Sequence, residues 1–391
     1  MNATPVIYLI AGEPSGDLLG AKLIQALHGR LGSDGVEFAG VGGPEMAAWG
    51  LNSLFPMAEL SVMGLAEILP HVPHFLRRIN QTVAHVKSLR PAILITIDSP
   101  GFCFRVARKL RGNGIPLVHY VAPSVWAWRP GRARKVAGFL DHLLALLPFE
   151  PPYFETVGLA TTFIGHPVVE GGADKGQDRA FRDRHGIDPE APLLAVLPGS
   201  RNSEISRLLP VFAEAVSRLA ETHPGLRIVV PTVAPLRDKV MAATRSWAGE
   251  VIVVEGAAEK FDAFAAANAA LAASGTVALE LAMAGTPTVI AYKVHPLTAW
   301  VARRLIKTPY VNLINVVLDR PVVPELIQQQ CRAELLGSKL SELLTDRDLA
   351  DRQIADAGIA LDELGRGGPS PSDRAADVII SIVNQQQGQI S

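Results

Sequence analysis

The sequence predicts an α/β protein made of two similar halves, and three observations carry that prediction. Short apolar runs alternate with helical patterns along most of the chain. The runs fall into two series, one opening at Val6–Ala11 and the other at Leu193–Leu197, on either side of a glycine-rich joint from Gly165 to Gln177. A chain of 391 residues with 48% hydrophobic content can also bury two cores.

Taken in order, Val6–Ala11 reads as a buried strand, and Leu19, Leu23, Leu27 and Leu31 then mark one helix face at every fourth residue. Val36–Ala39, Ala92–Ile97, Pro116–Val121, His142–Leu147 and Thr162–Ile164 supply further strands. Helical segments such as Phe75–Leu89 and Phe102–Arg111 lie between them. The second series continues through Arg227–Val230, Val251–Val254, Ala269–Ala273 and Thr288–Tyr292. Strand, helix, strand repeated in this way means parallel sheets with helices on both faces. The expected boundaries are 1–168 and 187–366 for the two domains, with 169–186 as linker. The segment 367–391 is expected to supply a helix, Asp373–Val383, that packs back across the domain boundary and ends in a frayed tail.

Composition excludes several classes. A formal charge of −1 gives no field for bulk nucleic-acid binding. Cys103 and Cys331 are far apart and in no metal-like spacing, as free thiols in a reducing compartment would be. Val6–Ala11 is too short for a signal-peptide core and lacks a basic leader, and no run of 18 apolar residues occurs, so a cytoplasmic protein is expected.

Ligands of open parallel sheets bind beyond the carboxyl ends of the strands, so residues just after each strand are the candidates. After the first strand, Gly12-Glu13-Pro14-Ser15-Gly16-Asp17 sets two carboxylates at a helix start, where a structural reading makes Ser15 the cap and Asp17 a dipole partner. After Ala92–Ile97, Asp98 precedes Ser99-Pro100-Gly101-Phe102; desolvation by its strand would raise its pKa toward the range of a general base, or it merely caps the next helix. In the second half, Gly199-Ser200-Arg201 is an anion-receptive turn with a fixed cation. Ser274-Gly275-Thr276 forms a second such turn at a helix start, with Glu280 one turn on, where a carboxylate can accept two sugar hydroxyls. An ordinary strand-to-helix turn with a serine cap accounts for this stretch equally well. Neither turn is a Walker loop, and Gly40-Val41-Gly42-Gly43 is a poor dinucleotide fingerprint.

With these residues in place, the chain resembles the lipid-A-disaccharide synthase family of glycosyltransferases. The likeness is a succession of motifs: Gly12 to Asp17, Gly42-Gly43-Pro44 with Met46, Met63-Gly64 with Glu67, Asp98 with Pro100 and Phe102, Ala122 to Arg129, Pro148-Phe149-Glu150, Ile164 to Pro167, Leu197 to Arg201 with Glu204, Ser274 to Glu280, Asn315, and Pro324 to Gln328. They run in the expected order from residue 12 to about 330. Cys103 departs from a common asparagine, and Asp319 from a usual glycine before Arg320.

The resemblance implies two Rossmann-like domains facing across a cleft, the GT-B arrangement. It implies transfer of a diacylglucosamine unit from UDP-2,3-diacylglucosamine to 2,3-diacylglucosamine 1-phosphate, with inversion, release of UDP and no cofactor. Asp98 is then the expected base, Asp17 the second choice, and Glu13 a neighbour in the acceptor site. Gly199, Ser200, Arg201, Ser274, Gly275 and Thr276 are expected to hold the diphosphate and Glu280 the ribose, while Asn315 and Gln328 complete the donor site. Asp346-Arg347-Asp348 has the form of a metal-binding pair but sits at a helix start, so no metal is expected. Arg129 is a candidate for the acceptor phosphate, and His166 reads as a hinge residue.

An acyl chain of about twelve carbons holds its sugar in a bilayer by roughly 9 kcal/mol, so such an enzyme works at the cytoplasmic surface of the inner membrane. Two stretches suit docking: Val62 to Leu76 before Arg77 and Arg78, which is preferred, and Leu297 to Ile306 interleaved with Arg303, Arg304 and Lys307. Assembly as a homodimer is compatible with the sequence. The rival readings are another UDP-N-acetylglucosamine transferase or epimerase of this plan, and a two-domain binding protein without chemistry.

Overall fold

The computed structural model describes residues 4–60, 72–128, 131–306 and 308–390, with the side chains of 72, 297, 301–303 and 387–390 outside that description. It divides into two compact units, 1–167 with 367–391 and 168–366.

The first unit holds a sheet of seven strands: β1 (Val6–Ala11), β2 (Glu37–Val41), β3 (Asn52–Ser53), β4 (Ile93–Ile97), β5 (Leu117–Tyr120), β6 (His142–Ala145) and β7 (Ala160–Phe163). Their order is β3-β2-β1-β4-β5-β6-β7, and every neighbouring pair is parallel. The second unit holds β8 (Leu193–Leu197), β9 (Arg227–Thr232), β10 (Glu250–Glu255), β11 (Ala269–Ala273), β12 (Thr288–Tyr292) and β13 (Glu325–Ile327). Its order, β10-β9-β8-β11-β12-β13, repeats that of the first unit strand for strand through the sixth position, again all parallel. In each sheet the order reverses between two central strands, β1 and β4 or β8 and β11. That is where doubly wound folds open a crevice for ligands.

The central strands are buried on both faces, which is why they read as continuous apolar runs. β3 and β13 escaped the sequence reading: one is two residues long, and the other is a half-buried edge strand of three residues behind Pro324.

The expected linker over 169–186 is instead structured and belongs to the second unit. Gly176 lies against the carbonyl of Phe261, where a Cβ would come within 2.1 Å. The Gln177 amide donates to Asp262 at 2.8 Å, and Arg182, buried in the helix Asp178–Arg184, donates to the carbonyls of Asp188, Ala191 and Ala266. Glycines marked close packing here, not slack chain.

The last helix, Pro371–Ile390, returns to the first unit and buries Ala375, Ala376, Ile379 and Val383 against Leu23, Ile24 and Leu27 of the helix Pro14–Leu31. Arg30 pairs with both Asp373 and Asp377 across this contact. The helix continues through the expected frayed tail as far as Ile390. Among the described residues, no helix is long and apolar enough to cross a membrane.

Candidate functional site

In the first unit, β1 and β4 run in register as far as Ala11 and Ile97, so the turns that follow them are adjacent. A Cβ on Gly12 would fall 2.4 Å from the Ser99 hydroxyl, so only glycine admits this approach. Pro14 opens the helix, and Glu13 rather than Ser15 occupies the cap position, with its own side chain making no capping bond. The Glu13 carboxylate is half-buried and has no hydrogen bond or ion pair among the described residues.

Asp17 corrects an expectation. Only 1% exposed, its carboxylate accepts the amides of Gly43 (2.8 Å), Glu45 (3.0 Å) and Met46 (3.1 Å), at the start of the short helix Pro44–Ala47. Three amides and no solvent access leave it no means of taking a substrate proton. Its role is to fasten the turn after β2, and Gly43 is glycine because a Cβ there would meet Asp17 at 2.4 Å.

Asp98 is differently placed. It is partly open to solvent, its carboxylate has no bonding partner among the described residues, and its amide continues the sheet by donating to Tyr120. The desolvation expected from its strand is therefore incomplete. Its backbone is in the left-handed region (φ 47°), as are Ser99 (43°) and, at the end of the neighbouring β5, the β-branched Val121 (81°). Non-glycine residues in such conformations cost of order 1–3 kcal/mol each and gather at sites where geometry matters more than stability.

Other buried polar groups of this unit are structural. Glu150, 3% exposed, accepts the amides of Leu146 and Leu147 and the Trp126 indole, and burial lifts its pKa to about 7. Trp126 packs edge-on against Phe149, which settles that indole inside the first unit. His119 is buried on β5, hydrogen-bonded to Thr96, and held neutral by burial and then by Arg132, with a pKa near 3. Burial also lowers His166 to about 4. Burial and, secondarily, the charge of Asp98 push the Cys103 thiol up. Arg129 lies outside the described residues.

In the second unit, a cavity of about 380 Å³ opens at the β8/β11 reversal. Its size falls at the small end of small-molecule sites. Gly199, Ser200, Arg201, Ser274, Gly275, Thr276 and Glu280 all line it, joined by Glu204, Thr232, Val233 and Lys260. Gly275 and Thr276 lead into the helix Val277–Met283, and their carbonyls accept the amides of Ala278, Leu279 and Glu280, while their own amides precede the first helical turn. The Ser274 hydroxyl donates to the Val311 carbonyl at 3.3 Å rather than into the cavity.

The two turns differ in one respect that the sequence did not disclose. Glu204, in the first turn of the helix Asn202–Thr222, reaches back to accept the Ser200 amide at 3.3 Å and pairs with Arg201 at 3.1 Å. The first seat is thus already held by a carboxylate, while the Arg201 side chain paired with it is 64% exposed. Lys260, on the helix Ala257–Ala266, was missed; it donates to both Glu280 oxygens at 3.0 and 2.9 Å. No periodicity marks it, because the pairing bridges helices that follow different strands.

Two expectations fail here. Asn315 is 1% exposed and fully committed: its amide nitrogen donates to Val323 and Glu325, and its oxygen accepts the amides of Val322 and Val323. Glu325 in turn accepts the amides of Val311 and Asn312. Asn315 therefore fixes the loop whose Val311 carbonyl meets Ser274. Just after it, Asp319 adopts φ 48° at the helix end, a left-handed conformation that glycine takes freely and aspartate tolerates. Gln328, also left-handed at φ 53°, pairs its amide with both backbone groups of Val294, at 3.2 and 3.0 Å, in the orientation that satisfies both. It lines a neighbouring cavity instead.

Asp346 caps the helix Arg347–Glu363 by accepting the Leu349 amide, as a helix-start reading requires. Of the preferred docking stretch, 61–71 lies outside the described residues. Arg78 is engaged by Glu59 at 2.7 Å and lies over the Phe55 ring.

A family model described as lipid-A-disaccharide synthetase matches residues 7–364. The lipid-A-disaccharide synthase of Rhodospirillum centenum is 54% identical over 383 residues, covering 97% of this chain and 95% of its own length. That of Paramagnetospirillum magneticum is 53% identical over 388 residues, covering 98% and 99%. Among solved structures, the UDP-GlcNAc 2-epimerase of Neisseria meningitidis bound to UDP-GlcNAc is similar with a TM-score of 0.64 at 10% identity, covering 97% and 99%. A spinosyn rhamnosyltransferase complexed with thymidine diphosphate is similar at 0.58 and 14%, covering 96% and 100%. At such identities the structural likeness speaks for the fold alone.

Proposed function

The chain belongs to the lipid-A-disaccharide synthase family, and from that premise we infer that it is a hexosyltransferase joining UDP-2,3-diacylglucosamine to 2,3-diacylglucosamine 1-phosphate. The products are the β-1,6-linked disaccharide 1-phosphate and UDP. The observation that carries the reading of the site is the cavity at the β8/β11 reversal, which gathers an exposed guanidinium, an ammonium, a carboxylate and a helix start around a volume of small-molecule size.

In a single displacement, the acceptor's 6-hydroxyl oxygen attacks the anomeric carbon while the bond to the diphosphate breaks. Asp98 accepts the hydroxyl proton; its unengaged carboxylate on a strained turn supports this role, and Glu13 flanks it. The charge that develops on the diphosphate is met by Arg201, after it exchanges Glu204 for phosphate, and by the amides of Gly275 and Thr276. Lys260 holds Glu280 in place to accept the ribose hydroxyls. With cations supplied by the protein, full turnover in EDTA is the expected outcome; loss restored by magnesium would place a metal there. Both substrates are lipid-borne, so the protein works at a membrane surface on the side where UDP-sugars are found, the cytoplasmic one.

The decisive experiment incubates the protein with both substrates and follows a tetraacyl disaccharide phosphate and UDP by mass spectrometry. No product would overturn the reading. An Asp98→Ala variant that keeps the wild-type rate would move the base elsewhere.

A further inference from the structure

Resting on the reading that the substrates are membrane-borne, we propose that the second unit docks on the bilayer through the helix Pro296–Leu305 and the cationic cavity beside it, which seats the phosphate of an anionic phospholipid headgroup. The cavity measures about 570 Å³ and lies just beyond the carboxyl ends of β12 and β13. Arg207, Lys293, His295 and Arg332 line it, and among the described residues no aspartate or glutamate does. Arg207, Lys293 and Arg332 have no ion-pair partner among the described residues, whereas Arg184, Arg227 and Arg320 each meet a carboxylate, at 2.8, 2.7 and 2.7 Å. Three unpaired cations around one hollow repel each other, and the ligand that relieves them is a multiply oxygenated anion.

The wall of this hollow shows where that anion comes from. Ala299 is buried against the cavity, and the next residue, Trp300, is 55% exposed. Arg304 stacks on the Trp300 ring 3.5 Å from its centre, and Leu305 and Ile306 follow, both large, apolar and exposed. An indole, two aliphatic side chains and a stacked guanidinium exposed on the helix whose Pro296 and Ala299 wall a cationic hollow match the interfacial zone of an acidic bilayer. A soluble phosphate would have no use for the exposed apolar side chains.

The test is co-sedimentation of the full-length protein with vesicles of phosphatidylcholine alone or with 30% phosphatidylglycerol, about 30% being chosen to mimic an acidic leaflet. Binding to the acidic vesicles is expected to be at least tenfold stronger and to weaken with salt. The pair Lys293→Glu and Arg332→Glu should remove the acidic preference, Lys293→Arg with Arg332→Lys should retain it, and Trp300→Ser with Leu305→Ser should weaken binding to acidic vesicles. Thermal melts check that each variant is folded. Charge-reversed protein that still prefers acidic vesicles overturns the proposal, as does wild-type protein that takes up inorganic phosphate in this cavity without binding vesicles. Wild-type protein that makes disaccharide from detergent-dispersed substrates yet ignores acidic vesicles overturns the docking surface alone; protein that binds them but makes no product overturns only the reading of its activity.

Discussion

The two units share one strand order but arm its reversal point with opposite chemistry. In the first, the residues beyond β1 and β4 are carboxylates: Asp17, bound by three amides, and Asp98, unengaged on a left-handed turn. In the second, the same topological place beyond β8 and β11 holds cation–carboxylate pairs, Arg201 with Glu204 and Lys260 with Glu280. A parallel sheet fixes where chemistry is presented, and the side chains decide which charge is presented. One strand order thus presents different charges at the same topological place in the two units.

The sharpest break of this comparison is Asp98→Ala. A lost general base should lower kcat by about 10²–10⁴-fold with little change in donor KM, read by UDP release. Asp17→Ala should do the reverse. It leaves three buried amides unsatisfied, so its effect is a stability loss of about 3 kcal/mol, read from urea midpoints, and its folded fraction should turn over near the wild-type rate. Equal loss of kcat in both variants would erase the distinction between them.

Glu150 tests whether a buried carboxylate of the first unit is structural. Its folded pKa, near 7, lies above the unfolded value, so the folded state binds the extra proton. Stability from this group is full below pH 4.5 and is lost as pH rises to 7, by roughly 2–3 kcal/mol. The stability gap between wild type and Glu150→Gln should shrink over that window, measured by denaturant titration at pH 5 and pH 8. A constant gap would mean that the carboxyl is ionised throughout.

In the second unit, Lys260→Met should weaken UDP binding about tenfold by freeing Glu280, read by calorimetry. The smallest expected effect is the most specific: Glu204→Gln removes the charge that occupies the first seat, and UDP should bind about two- to fivefold more tightly. Weaker binding in that variant would mean that Glu204 orients Arg201 for the ligand rather than competing with it.

Much of this was legible in the chain. β1, β8, β11 and β12 match their apolar runs residue for residue, because strands buried on both faces leave an uninterrupted signal. The turns at Gly12, Asp98, Gly199 and Ser274 followed from strand ends alone. Asp17, Asn315 and Gln328 were located, but their bonds to backbone groups were not, since the residue type that binds a ligand is also the type that binds a stray backbone group. Lys260 was overlooked, and the role of Glu325 within its motif went unseen, because their partners sit twenty and ten or more residues away, on other elements.

By itself, then, the sequence determined the two parallel sheets, the positions of the strand-end turns and the order of motifs that marks the family, all of which depend on local periodicity and spacing. Only the tertiary structure decided which carboxylates are spent on amides and which stay open, which cations are paired and which face an empty hollow. Hydrogen bonds and ion pairs are made between groups that folding brings within about 3 Å, and no distance along a chain encodes that separation.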